Sequence, residues 1–254
     1  AYRQGTSKKM SPAVLPFRDE LSFDGDIVFK GHQIVIPPNQ RPSILNKLHS
    51  PHLGSEATIR RARDSVFWPS MRNDKPRKLT LAKFAINKEQ ATQGTFNETP
   101  VPEYPWQKIG ADIFELDSQF YLIITDYYSN YFEVDKLHTI SSQAVISKMS
   151  PHLARYGIPE TLITDNGRQF VSEEFQNFVK NGKLNTRLRR HITNNEWKAE
   201  NAVKIAKNLI KKANDGKQDP FLALLGWRNT PTAGHDISPA QKFFNRRTKT
   251  DIPC

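Results

Sequence analysis

Cysteine is all but absent: Cys254, the last residue, is the only one. That excludes a disulfide framework and fits a reducing compartment. No apolar run approaches the ~18 residues of a membrane span, and no secretory signal pattern opens the chain. Internal repeats and low-complexity tracts are missing too. Acid is in short supply: 26 Asp plus Glu stand against 37 Lys plus Arg, for a net charge of +11 and a pI of about 9.7. Such a balance points to a polyanionic partner, nucleic acid before membrane, against the plainer reading of a basic surface kept for solubility. What is present suits a soluble globular protein: 254 residues, 37% hydrophobic and 25% charged. That length allows one large domain or a core with a smaller module. The first residue is Ala1, which reads as a fragment or a processed piece.

Residues 20–37 read as a small β unit, with an Asp24-Gly25 turn and Gly31 between "IVFK" and "HQIVIP". Residues 41–90 read as helical, with Pro42 at a first helical position and Ser55 able to cap "EATIRRARDSV". A stretch rich in Thr, Asn and Pro follows and looks like a linker. The expected organisation is an extension with a β-hairpin over 1–40, a helical module over 41–92, a linker over 93–104 and a core over 105–250. In the core, "KIGADIFEL", "FYLIITDYY" and "YFEVDKL" are strand-like runs. Residues 141–156 read as a helix that Pro151 would kink. "ETLITD" is a fourth strand, "SEEFQNFVK" a helix, "LNTRLRR" a fifth strand and 196–214 the clearest helix of all. That order predicts an α/β fold, a mixed five-stranded sheet with helices packed on it.

Three carboxylates stand out. In "KIGADIFEL", Ile109, Ala111 and Ile113 share one face by period two, and Asp112 falls on the other with Gly110. An acid in mid-strand is disfavoured unless something binds it. Asp165 closes "ETLITD" just before Asn166-Gly167, where a lone Asp is ordinarily a turn residue bonding its own backbone. Glu200 begins a polar stripe with Lys204, Lys207 and Lys211, opposite an apolar stripe of Ala202, Val203, Ala206, Leu209, Ile210 and Ala213. The lysines alone read as a solvated face with i,i+4 pairs; beside a carboxylate cluster they would lead a phosphate backbone across the site. Three oxygen donors from separate elements suit Mg²⁺, and two such ions can promote phosphodiester displacement.

Together with these residues, "ARDSVFWPSM", "PWQKIGADIFEL", "TDYYSNYFEVDKL", "ARYGIPETLITDNGRQF", "KAENAVKIAKNLIKKA", "RNTP" and "SPAQ" carry a resemblance. From about Leu21 to Pro253 the chain resembles the integrases of gypsy-type LTR retrotransposons. The resemblance implies a helical zinc-finger-like module followed by an RNase H-like core. It implies a catalytic, metal-binding triad of Asp112, Asp165 and Glu200 with Mg²⁺ or Mn²⁺, and DNA contacts from Lys198, Lys204, Lys207 and Lys211. It further implies 3′-end processing and DNA strand transfer, DNA as partner, a homo-oligomer, no membrane, and action in the nucleus after a cytoplasmic particle stage.

The sequence departs from that family in places. His49 and His52 of "LHSPHLG" match the two zinc-binding histidines, but Ala82 and Ala85 of "AKFA" stand where two cysteines are expected. A structural zinc site needs four ligands, so zinc is not expected here. The loop "HITNNEWKAE" lacks the family's glycine, and Asp165 and Glu200 are 200 − 165 = 35 residues apart, about one fewer than the pattern leads one to expect. The chain also stops at Cys254, before the small β-rich domain that follows the core in the family. Hence a second reading: a catalytically impaired, integrase-derived DNA-binding or interaction protein.

Overall fold

The computed structural model of the chain describes residues 12–49, 53–71, 102–188 and 197–252. A 3-10 helix, Pro12–Glu20, leads into the strands β1 (Leu21–Asp24), β2 (Ile27–Lys30) and β3 (Gln33–Val35). Gly25 and Gly31 take the positive φ angles that the two tight turns between them require. Helices α1 (Arg41–His49) and α2 (Ser55–Ser65) follow, then a two-residue strand, β4 (Val66–Phe67). β4 pairs in parallel with β3, so hairpin and helices share one sheet of order β1-β2-β3-β4. The cap expected at Ser55 is not there: Ser55 is the first helical residue, Gly54 precedes it, and no side chain caps the helix.

The core begins with β5 (Lys108–Leu116), β6 (Gln119–Asp126) and β7 (Phe132–Leu137), an antiparallel meander. Helix α3 (Ser142–Tyr156) crosses to β8 (Thr161–Thr164), which pairs in parallel with β5. Short α4 (Arg168–Val171) and α5 (Glu173–Asn181) lead to β9 (Asn185–Leu188), parallel to β8. The sheet order is β7-β6-β5-β8-β9, a mixed five-stranded sheet of the RNase H-like kind. Then come α6 (Trp197–Asp215), α7 (Pro220–Arg228) and α8 (Pro239–Phe244).

Local chemistry sets several of these boundaries. The Ser141 hydroxyl accepts from Ala144 N–H at the start of α3, and Ser172 does the same for Phe175 at α5. Ser238 and Gln241 form a full capping box on α8. Pro151 lies inside α3, which runs on to Tyr156.

Alternation along the strands builds two cores. Ile109 and Ala111 of β5, Leu122 and Ile124 of β6 and Leu162 of β8 pack with Val145 and Met149 of α3 and Phe175 of α5. On the other face, Phe114, Ile123 and Phe132 pack with Ala202, Ala206, Leu209 and Ile210 of α6. The side chains of residues in neighbouring strand positions thus belong to opposite layers. A third cluster unites Ile36, Ile44, Leu48, Ala62, Val66 and Trp68 with Ile252 from the far end of the described chain. Arg61 meets Asp251 at 3.0 Å and Arg247 meets Asp64 at 2.9 Å around it.

Candidate metal and nucleic-acid site

The parallel ladder between β5 and β8 aligns Gly110 with Ile163 and Ala111 with Thr164. Asp112 is the next residue of β5, and Asp165 is the first residue after β8. Neighbouring strands lie about 4.8 Å apart, so the two acids occupy adjacent positions at the point where β8 ends and β5 continues. Both are half-buried. Asp112 sits between Gly110 and Phe114 on the face that α6 covers. Its Oδ1 accepts from Ile113 N–H at 2.8 Å. Asp165 Oδ1 accepts from Gly167 N–H at 3.0 Å, which is the turn bond that Asp-Asn-Gly favours.

Glu200 lies exposed in the first turn of α6. Two contacts fix how that helix lies over β5. Lys198 Nζ donates to the Tyr127 carbonyl at 2.6 Å, and Tyr127 N–H in turn donates to the Lys108 carbonyl at the start of β5. Further along, Lys207 Nζ stands 5.7 Å from the centre of the Phe114 ring. The helix therefore runs along β5 in the strand's own direction. Glu200 falls between its two anchors as Asp112 falls between theirs. Lys204 and Lys211 are exposed on the same stripe, and Lys207 is half-buried against Phe114. Among the described residues, no three Asp, Glu, His or Cys side chains are gathered closely enough to hold a metal ion. The ladder between β5 and β8 ends one residue before the two aspartates, Glu200 lies in the first turn of α6, and among the described residues the three do not close into one coordination group.

At the start of β5 the site turns positive. Lys108 is buried at 7% exposure. Burial first, then the charges of Arg187 and Lys198, lower its ammonium pKa. Lys198 is lowered by burial and by Lys242, against the pull of Asp126. Lys108 Nζ stands 5.2 Å from the Tyr127 ring centre, and Lys242 Nζ 4.5 Å from that of Tyr128. Asp126 is fully buried and accepts from Trp106 N–H at 2.9 Å and Ser129 N–H at 2.8 Å, and from the Ser129 hydroxyl. Of these residues the sequence marked only Lys198. Lys108 carried a signal, since it shares the period-two face of Gly110 and Asp112. Lys242 and Arg187 carried none, because only the fold brings α8 and β9 here.

His49 closes α1 and is half-buried. His52, Ala82, Ala85 and the altered loop up to Glu196 lie outside the described residues. No helix among the described residues is long and apolar enough to cross a membrane.

Residues 36–76 match the family model of the integrase zinc binding domain. Over 260 residues the chain is 26% identical to uncharacterized protein K02A2.6 of Caenorhabditis elegans; the match covers 99% of this chain and 20% of that protein, so the chain spans about a fifth of the relative's length. The catalytic core domain of the integrase of BIV superposes with a TM-score of 0.50 at 15% identity, over 55% of this chain and 95% of that one. The HTLV-2 integrase catalytic core domain, solved in complex with magnesium in a trimeric form, gives 0.48 at 20% identity, over 56% and 98%. The N-terminal region thus resembles the integrase zinc binding domain, and the five-stranded core has the fold of a retroviral integrase catalytic core domain.

Proposed function

We propose that the chain is a metal-dependent polynucleotidyl transferase that trims DNA 3′ ends and joins them to target DNA, as the integrases of gypsy-type elements do. The observation that supports this is the parallel ladder of β5 and β8, which ends one residue before Asp112 and Asp165, on the sheet whose other core α6, the helix bearing Glu200, covers. The donor set fits a hard divalent cation, Mg²⁺ or Mn²⁺, since all three groups are carboxylates. A bound cation of this kind activates the attacking oxygen and stabilises the leaving one. Asp112 and Asp165 would hold it from the sheet and Glu200 from the helix. Asp112 Oδ1 accepts from Ile113 N–H and Asp165 Oδ1 from Gly167 N–H, which orients each carboxylate. Lys204, Lys207 and Lys211, one stripe on from Glu200, would bear on the phosphate backbone and steer it across the three acids. The partners in this reading are element ends and target DNA, the working form is a homo-oligomer, and the setting is the nucleus after a cytoplasmic particle stage.

A second reading is an integrase-derived DNA-binding protein that has lost catalysis. It is favoured by there being, among the described residues, no three metal-ligating side chains gathered closely enough to hold an ion. One experiment separates the two. Purified chain is given a duplex oligonucleotide, a plasmid target and Mg²⁺ or Mn²⁺. The transferase reading expects joined products that vanish in Asp165→Asn and Glu200→Gln, with folding and DNA binding retained. DNA binding without products in the parent chain would sink it in favour of the second reading.

A further inference from the structure

Among the described residues, cations from several elements gather at the start of β5. Lys108 (β5) and Lys242 (α8) stand against the rings of the neighbouring residues Tyr127 and Tyr128, Lys198 (α6) donates to the Tyr127 carbonyl, and the charge of Arg187 (β9) bears on Lys108. Asp126, a carboxylate that bears on Lys198, is fully buried and already accepts from Trp106 and Ser129. Like charges gathered beside low-dielectric protein repel one another more strongly than in water. The rings of Tyr127 and Tyr128 lie under two of the ammonium groups, which offsets part of that repulsion. Burying Lys108 among other cations costs stability that packing alone does not explain.

We infer that Lys108, Arg187, Lys198 and Lys242 form a phosphate-binding site for one DNA strand, distinct from the Lys204–Lys211 stripe. Ammonium and guanidinium donors from four directions suit the oxygens of a phosphodiester. Lys108 is four residues before Asp112 on the same face, about 13 Å away at ~3.3 Å per residue. A strand held there would lie a few nucleotides from the acids, with the Tyr127 ring between. This inference rests on the reading of the chain as a protein that acts on DNA, but not on catalysis.

The test is therefore run without metal. Anisotropy of a labelled 20-base-pair duplex is followed across a salt series in EDTA, for the full chain and for Lys242→Met, Lys108→Met and Lys180→Met. Lys180 is exposed on α5, on the opposite face of the sheet, and serves as the control. Lys242→Met and Lys108→Met should each reduce the slope of log affinity against log salt by about one. Lys180→Met should leave it unchanged, and Lys242→Arg should restore it. Should Lys108→Met fail to fold, the half-exposed Lys242 carries the test. An unchanged slope in Lys242→Met, an equal loss in Lys180→Met, or competition by inorganic pyrophosphate that is lost in Lys242→Met while the DNA slope is kept would overturn the proposal. Loss of strand transfer with the slope change intact would instead sink the transferase reading and leave this site standing.

Discussion

The ring of Tyr127 fills the space that a side chain on Gly110 would need: a Cβ built on Gly110 lies 2.8 Å from Tyr127 Cε2 and 3.1 Å from its hydroxyl oxygen. Mid-strand glycine marks such close approaches. Gly110→Ala should therefore destabilise the core by about 1–3 kcal/mol, the usual cost of overpacking. Tyr127→Leu in the same chain should recover part of it. Urea denaturation of the two single variants and the double one gives the coupling; purely additive losses would refute the steric account.

Arg228 of α7 reaches Glu133 of β7 at 2.7 Å, with both side chains mostly buried. It also donates twice to the Phe132 carbonyl and lies over the Tyr131 ring. Glu133 in addition accepts from the hydroxyls of Tyr131 and Tyr156, and burial raises the pKa of both phenols. Removing one partner strands the other, so Arg228→Met should cost about 3–5 kcal/mol. Glu133→Gln keeps an acceptor for the tyrosines and should cost less. Chemical denaturation showing the reverse order would contradict this arrangement.

Asp64 supplies a pH dependence with a definite sign. Burial raises its carboxyl pKa, and Arg247 and then His32 only partly offset that. The folded chain thus binds a proton there more readily than the unfolded chain. Its contribution to stability is complete below the ordinary carboxylate pKa and fades as pH rises through the raised value. Asp64→Asn cannot ionise and keeps an oxygen for Arg247. The stability of the variant relative to the parent should grow from about pH 4 upward and then level off. A constant difference between pH 4 and 7 would show that burial does not govern Asp64.

The N-terminal region should hold no tightly bound zinc, since Ala82 and Ala85 stand at the expected cysteine positions. Plasma emission analysis of purified chain should find well under one zinc per chain. Cysteine restored at both positions should raise zinc affinity and the melting temperature. One zinc per parent chain would disprove it.

The parts of the fold written in local alternation were legible. Ile109, Ala111 and Ile113 against Gly110 and Asp112 fixed both faces of β5, and the stripe from Ala202 to Ala213 fixed the buried side of α6. Helix α7 escaped because "PFLALLGWR" is apolar nearly all round and shows no stripe, although Asp219 caps it and Pro220 begins it. β4 escaped because two residues carry no period; only pairing with β3 makes Val66-Phe67 a strand. The placement of Asp112 and Asp165 was readable as strand middle and strand end, but their adjacency is a matter of register between strands 53 residues apart (165 − 112). The cation cluster is likewise non-local, since β5, β9, α6 and α8 meet only in the folded chain.

Ile252 has a temporal consequence. It is buried with Trp68, Val66 and Leu48, and Asp251 pairs with Arg61 across 190 residues of sequence. Translation delivers the chain from its first residue onward at about 5–20 residues per second. Trp68 therefore leaves the ribosome 252 − 68 = 184 residues ahead of the side chain that seals its cluster, a delay of roughly 10–40 s at that pace. During this interval the early region is made but lacks its last apolar neighbour, and the RNase H-like core can form first. Chaperone demand during synthesis should therefore concentrate on residues 34–71.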